Sequence, residues 1–294
     1  MTYNGKRAVA LGIFDGVHLG HRRVMEITAG TAENGFAPSA FTFRSNTIRR
    51  KQGRSLEYIY TDKNKERIIN ALDIKDVFSE DFGSLKGLSG EEFVREILVK
   101  RLNTGIAVCG DDFRFGHNAM CGADDLVRFG KEYGFDAIIV PEERMNGEKV
   151  SSRRIRELLL DGNMKDASLL LGDRYSIFTE VVKGAQLGRT IGFPTINQLF
   201  AEGQLVPACG VYASTALIDG KRFPAMTNIG VKPTVCYGGA PLAETYIHGF
   251  SGSLYGKCFP VELWEFIRPE RKFGSLDELK NQINTDVEHC LNIL

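Results

Sequence analysis

The 294-residue sequence has no surplus of either charge: 37 lysines and arginines face 37 aspartates and glutamates. Without a global positive excess, nothing draws the whole chain to nucleic acid or to an anionic membrane. Neither is expected among its partners, and an anionic substrate must be met by a local set of donors. Long apolar runs are missing too. Nowhere do about 18 apolar residues follow one another, as a membrane helix requires. The apolar stretch that follows Lys6-Arg7 and ends at Leu11 is too brief for a signal-peptide core, so the cytoplasm is the expected compartment. Cysteine is scarce. The six residues, at 109, 121, 209, 236, 258 and 290, never form Cys-x-x-Cys and have no histidines at zinc-finger spacing. Neither a metal cage nor a disulfide framework follows, and free, buried or half-buried thiols are expected.

Apolar residues nevertheless make up 43% of the chain, enough to furnish the cores of two ordinary domains. The two halves differ in rhythm. In the first, Ala8-Val9-Ala10-Leu11, Ala40-Phe41-Thr42-Phe43, Ile106-Ala107-Val108-Cys109 and Ala137-Ile138-Ile139-Val140 read as strands with helices between them. One helix is expected from Glu91 to Leu102, entered by Ser89 with Glu92 three residues on, a capping box in which each side chain satisfies a backbone N–H. Strands alternating with helices predict an α/β domain with a doubly wound parallel sheet. After about Gly172 come β-rich segments divided by Gly, Pro and Asp: Tyr175 to Val182, Gly210 to Ile218, Phe223 to Asn228, Ala243 to His248 and Cys258 to Ile267. These predict a small antiparallel β-barrel. A second capping box, Ser275-Leu276-Asp277-Glu278, opens a terminal helix whose Leu279, Ile283, Val287 and Leu291 are expected to share one buried face. Two short helices, Ile155 to Leu160 and Met164 to Leu171, lead up to the boundary, which divides the chain into domains 1–172 and 173–294. There is no internal repeat and no low-complexity linker.

The first strand runs into Gly12-Ile13-Phe14-Asp15-Gly16-Val17-His18-Leu19-Gly20-His21, after which Arg22 to Ala29 can be helical. His18 and His21 thus fall on one side of a helix's first turn. There the free N–H groups and the positive end of the helix dipole favour anions, and glycines let a phosphate approach the backbone. Two imidazoles at that place can donate to phosphate oxygens as charge builds in a displacement at phosphorus. Taken alone, the pair also fits turn or helix-face histidines with satisfied hydrogen bonds. Further on, Ser151 and Ser152 at a helix start can offer donors to a phosphate, and Arg156, one turn later, can neutralise charge; an N-cap and a solvated cation are the plainer alternative.

In the second half, Val182-Lys183-Gly184-Ala185-Gln186-Leu187-Gly188-Arg189-Thr190 superficially resembles a Walker A loop, but three residues separate the glycines, and Arg189 stands where lysine is required. Gly192-Phe193-Pro194 cannot continue as the helix such a loop must open. A phosphate site here must be built from barrel loops. If Thr195-Ile196-Asn197 is extended, the hydroxyl and the carboxamide share a face and can serve Mg²⁺ and phosphate. A Pro-containing turn with a capping Thr and Asn is the alternative.

The segment Gly-x-Phe-Asp-Gly-Val-His-x-Gly-His resembles the nucleotidylyltransferase signature in the form carried by bacterial FAD synthetases. Gly110-Asp111-Asp112-Phe113-Arg114-Phe115-Gly116 and Val150-Ser151-Ser152-Arg153-Arg154-Ile155-Arg156 resemble further motifs of that family in the expected order. From Val182 onward the chain resembles a riboflavin kinase domain, through Gly210-Val211-Tyr212, Asn228-Ile229-Gly230 with Pro233-Thr234, Glu244, Leu254-Tyr255-Gly256-Lys257 and Arg268-Pro269-Glu270-Arg271-Lys272-Phe273. The resemblance implies a bifunctional enzyme that phosphorylates riboflavin to FMN and then transfers AMP from ATP to FMN. ATP and Mg²⁺ are the implied co-substrate and metal; FMN and FAD are products, and no prosthetic group is implied. It assigns catalysis to Glu244, as base for the ribityl 5′-hydroxyl, and to His18, His21 and Arg156. It assigns ATP to Gly12, Phe14, Asp15, Gly20, Ser151, Ser152, Gly184, Gly188, Arg189, Thr195 and Asn197, the last two also holding the metal, and the flavin to Asp112, Phe113, Phe115 and Arg268. A monomer or weak homo-oligomer is expected.

Two positions depart from the family pattern: Arg153 replaces a threonine in Ser-Ser-Thr-x-x-Arg, and Arg44-Ser45-Asn46 replaces a Pro-His-Pro-like segment after the second strand. Arg153 adds charge and bulk in place of a hydroxyl. A riboflavin kinase with an altered adenylyltransferase half, and a flavin or nucleotide sensor without turnover, are the competing readings.

Overall fold

The computed structural model describes residues 5–47, 57–184, 186–231 and 240–294, apart from the side chain of Leu187. Ala185, Pro233-Thr234 and Cys236 therefore lie outside the described residues. The chain divides into two compact units, Met1–Ser152 and Arg153–Leu294. By its contacts the helix pair that precedes Gly172 belongs to the second unit.

The first unit runs β1 (Arg7–Leu11), α1 (Leu19–Gly30), β2 (Ala37–Phe43), α2 (Asp62–Asn70), β3 (Asp76–Glu80), the short α3 (Phe82–Leu85), α4 (Gly90–Glu92), β4 (Thr104–Gly110), α5 (Ala123–Tyr133) and β5 (Asp136–Val140). The hairpin β6 (Arg144–Met145) and β7 (Glu148–Lys149) follows. All five main strands are parallel, in the order β3-β2-β1-β4-β5. This is the doubly wound sheet that alternating strands and helices predict. Its central strands are apolar because both faces are covered: Ala8, Val9, Ala10, Ala107 and Val108 have no exposed surface. Strand β3 was not foreseen, since Asp76-Val77-Phe78-Ser79-Glu80 is mostly polar, as an edge strand can be.

Ser89 and Glu92 form the expected capping box. The helix beyond it is not a plain α-helix, however: Phe93–Arg101 is π-helical, with Leu102 N–H bonded to the Ile97 carbonyl at 2.9 Å. The buried residues Phe93, Val94, Ile97, Leu98 and Leu102 recur at intervals of four and five. The wider turn keeps them all on the sheet.

The second unit contains α6 (Ser152–Leu160), which bridges the division, and α7 (Met164–Leu171). Strands β8 (Ser176–Ile177), β9 (Val181–Val182), β10 (Thr195–Leu199), β11 (Gly210–Ile218), β12 (Lys221–Val231), β13 (Pro241–Ile247) and β14 (Val261–Arg268) follow, with a short α8 (Leu187–Thr190) and the terminal α9 (Leu276–Ile293). The sheet order is β8-β14-β11-β12-β13-β10-β9, antiparallel throughout. The edge strands β8 and β9 are neighbours in sequence. The four-residue step from Ile177 to Val181 reaches at most about 14 Å, whereas six strand spacings in a flat sheet cover about 29 Å. The sheet therefore has to curl into a half-barrel.

Helix α9 packs on the outer face of that sheet, through Ile283, Val287, Cys290 and Ile293 against Val211, Ala213, Met226 and Tyr246. Two sequence expectations need correction here. Leu291 is exposed and Cys290 takes the core position, because residues spaced by four drift about 40° per step around a helix. At the N-terminus, Ser275 accepts from Glu278 N–H, but the Glu278 carboxylate reaches back to Gly274 N–H, so the box is only half formed. A buried ion pair fastens the helix: Arg268 Nε and Nη2 donate to both oxygens of Asp286 at 2.6–3.1 Å, and Gln282 Nε2 adds a bond of 2.7 Å. The Asp286 side chain is only 2% exposed. Asp286→Ala strands the guanidinium, and urea unfolding of the variant is expected to show a loss of about 3 kcal/mol.

Candidate active sites

In an open parallel sheet, ligands bind beyond the carboxyl ends of the strands where the winding reverses, here between β1 and β4. Both glycine-rich segments singled out in the sequence leave the sheet at that point. After β1 the chain makes a strained loop, with Phe14, Gly16 and Val17 all at positive φ (53°, 81° and 42°). A β-branched residue in the left-handed region persists only when its surroundings over-determine it. Several bonds do so. Thr42 Oγ1 donates to the Ile13 carbonyl at 2.8 Å, Ile59 N–H to Asp15 Oδ1 at 2.8 Å, and Ser152 Oγ to the Asp15 carbonyl at 2.8 Å. Phe14 is buried and meets His21 edge-on, with centroids 5.3 Å apart.

The loop delivers His18 to the N-cap of α1 and His21 to its first turn. Their rings stack in parallel, 3.6 Å apart. The His18 side chain does not cap the helix, and the N-terminal turn of α1 lies beside the two imidazoles, where the helix dipole favours an anion. Burial of the ring, the adjacent His18 and the charge of Lys65 hold the His21 pKa well below 6.5. These effects favour the neutral imidazole, whose Nδ1 is buried without a hydrogen-bond partner. Gly20 stands 3.4 Å from the His18 ring, measured from where its Cβ would be.

Beyond β4, Asp112 is exposed and receives Lys149 Nζ at 2.7 Å. Phe113 is half-buried and stacks on Phe115, centroids 5.6 Å apart. Phe115 itself is 6% exposed and sits in the core with Phe93 and Phe129. Ser151 and Ser152 lie at the start of α6, and Arg156 lies one turn on. Arg153 points into solvent, 87% exposed, and pairs with Glu157 at 3.1 Å. Arg44-Ser45-Asn46 forms a turn in which Ser45 N–H and Oγ both donate to Asp62 Oδ1.

Lys65 is a residue of this site that the motifs do not point to. Its ammonium is buried, the side chain 2% exposed, and it reaches the Phe43 carbonyl at 2.8 Å, Thr42 Oγ1 at 3.4 Å and Asp62 Oδ1 at 3.5 Å. Burial lowers its pKa against the opposing pull of Asp62 and Asp15. The available signal was a lysine in the buried stripe Asn64, Lys65, Ile68 and Ile69 of α2.

The second unit builds its site on one face of the sheet. In register across three strands stand Asn197 on β10, Glu244 on β13 and Asn228 on β12. Residues directly opposite one another project to the same side. Thr195, two residues before Asn197, shares that side. Glu244 is half-buried between the two carboxamides. On the other flank of β10, a Cβ added at Gly184 would collide with Asn197 Nδ2, and one at Gly188 with the Phe193 carbonyl. The loop therefore lies directly on the hydroxyl and carboxamide pair, with Arg189 exposed on α8. Tyr255 supports it, accepting from Gln186 Nε2 at 3.3 Å, with Lys183 Nζ 6.0 Å from its ring centre. The Glu270 carboxylate accepts from Asn228 Nδ2 at 3.1 Å. Arg268 lies on β14, with its guanidinium engaged by Asp286.

Comparison with known proteins matches residues 1–154 to the FAD synthetase family and residues 171–294 to the riboflavin kinase family. Over its length the chain is 34% identical to a Haemophilus influenzae bifunctional riboflavin kinase/FMN adenylyltransferase, covering 96% of this chain and 92% of the relative. It is 35% identical to the Escherichia coli K12 protein of that name, covering 95% and 90%. A Streptococcus pneumoniae crystal structure, of a protein described there as a macrolide-efflux protein, superposes with a TM-score of 0.80 at 30% identity, covering 98% of this chain and 94% of that one. Among the described residues, no helix is long and apolar enough to cross a membrane.

Proposed function

The chain belongs to the family of bifunctional riboflavin kinase/FMN adenylyltransferases, and we propose that its two reactions run at the two sites described above, one carried by residues 1–172 and the other by 173–294. The protein phosphorylates riboflavin to FMN with ATP, and transfers AMP from ATP to FMN to give FAD and pyrophosphate. What supports this division is that each unit holds one polar site of its own: the stacked histidines at the end of β1, and the row Asn197, Glu244 and Asn228 on the curled sheet.

In the kinase half, Glu244 takes the proton of the ribityl 5′-hydroxyl as its oxygen attacks the γ-phosphorus and ADP departs. Gly184, Gly188 and Arg189 line the phosphates, and Arg268 serves the flavin. Thr195 and Asn197 would hold Mg²⁺. The fit is chemical: both donors are hard, neutral oxygens, suited to a cation that arrives with ATP and keeps phosphate and water ligands. Among the described residues no group of three His, Cys, Asp or Glu side chains could hold a metal alone. Bound there, Mg²⁺ would offset phosphate charge.

In the adenylylating half, the FMN phosphate attacks the α-phosphorus of ATP. His18 and His21 donate to the oxygens that gain charge, while Gly12, Phe14, Asp15 and Gly20 shape the loop that presents them. Ser151, Ser152 and Arg156 are assigned to the remaining phosphates. Asp112 and Phe113 are assigned to the flavin, Phe115 backing Phe113 from the core. Arg153, turned to solvent, leaves this chemistry open. The protein is taken to act in the cytoplasm as a monomer or weak homo-oligomer, without nucleic acid or membrane.

Full-length protein supplied with riboflavin and Mg-ATP is expected to form FMN and then FAD, with ADP and pyrophosphate released and EDTA stopping both steps. FMN accumulating without FAD would leave only the kinase. Flavin bound without ADP release would make the chain a sensor.

A further inference from the structure

The loop that carries the histidines is strained and must be held from outside. One of the bonds that hold it comes from Thr42, whose hydroxyl direction is fixed by a charged neighbour. An ammonium has three protons and accepts nothing. Lys65 Nζ has three acceptors in reach: the Phe43 carbonyl at 2.8 Å, Thr42 Oγ1 at 3.4 Å and Asp62 Oδ1 at 3.5 Å. Thr42 Oγ1 must therefore accept from Lys65, which leaves its single proton for the Ile13 carbonyl, 2.8 Å away. Ile13 immediately precedes Phe14, the first strained residue and the ring against which His21 packs. Asp62, in turn, is fixed by Ser45 N–H and Oγ at 2.9 and 2.7 Å. A lysine side chain 2% exposed is costly to bury, and all its donors are spent on the ends of β2 and α2 rather than on a surface partner.

We propose that Lys65 is a positioning residue for adenylyl transfer: through Thr42 it holds the Gly12–His18 loop in the shape that presents His18 and His21 to the nucleotide. The proposal rests on the assignment of those histidines given above. Lys65 touches no reacting atom. It acts as the fixed end of a relay, ammonium to hydroxyl to carbonyl, and its positive charge also disfavours protonation of His21.

Lys65→Met keeps the length and apolar stem while removing every donor; Thr42→Val removes only the hydroxyl. In full-length protein, each is expected to lower kcat for FAD formation from FMN and Mg-ATP by roughly 10- to 100-fold, the range a small misplacement of catalytic groups produces, with KM for FMN nearly unchanged. Because the two act along one relay, the double variant should be no slower than Lys65→Met. Riboflavin phosphorylation by the same preparations should stay normal. If Lys65→Met fails to fold, Thr42→Val, which keeps the buried charge, decides alone. Normal kcat in Thr42→Val, or effects that multiply in the double variant, would overturn the proposal. His21→Ala run alongside separates the two assignments. Intact FAD formation in that variant removes the histidine assignment itself, whereas its loss with normal kcat in Thr42→Val overturns the relay alone.

Discussion

Glu244→Gln is expected to abolish FMN formation from riboflavin while leaving FAD formation from supplied FMN unchanged. Glutamine has the shape of glutamate and can still hydrogen-bond to the neighbours that register places beside position 244, Asn197 and Asn228. It cannot take a proton. Half-buried on a strand whose pairing is unbroken from Pro241 to Ile247, residue 244 has a backbone set by the ladder rather than by its own side chain. Folding and ATP binding should therefore survive, and the whole effect should appear in kcat. General base catalysis is worth about 10²- to 10⁴-fold, so product analysis after a timed incubation is sensitive enough. The adenylylation arm is the internal control, because none of the groups assigned to it lies on the β10, β12 and β13 row that carries Glu244. FMN production within a few-fold of the parent protein would sink the assignment of Glu244 as base.

Much of this arrangement was legible in the sequence because its elements announce themselves locally. The parallel strands are short apolar runs, Ser89 and Glu92 cap a helix at fixed spacing, and glycines mark where the chain must come close to something. Gly184 is an example: it is needed for close approach to Asn197, which no spacing rule could identify as the neighbour. What the sequence withheld was pairing across distance. That Asn228 stands opposite Glu244 depends on the register of β12 with β13. That Arg268 is held by Asp286 depends on where α9 docks, and the apolar face of α9 was itself misjudged by one position at Leu291. Lys65 escaped because a buried charge goes against composition. Lysine in a buried helical stripe is worth reading as a partner awaiting acceptors, and here the acceptors come from β2 and from Asp62 on its own helix.

His21→Ala is expected to lower FAD formation by about 10²- to 10³-fold, the loss typical of removing one preorganised donor from a developing oxyanion, with FMN formation untouched. The geometry makes the prediction finer. His21 Nδ1 is buried and unpartnered, and Nε2 is the ring atom assigned to the nucleotide. Glutamine places an amide N–H near the position of Nε2, and asparagine near that of Nδ1. His21→Gln should therefore recover part of the activity that His21→Asn does not. The donor must be a neutral ring, since burial, the stacked His18 and Lys65 all oppose its protonation. The signal of His21 in labelled protein free of nucleotide should accordingly titrate well below 6.5 in an NMR pH series, and should move upward in Lys65→Met, where one of the opposing charges is gone. A His21 that titrates near 6.5 would mean that the ring is open to water, and equal activity in the glutamine and asparagine variants would remove Nε2 as the donating atom.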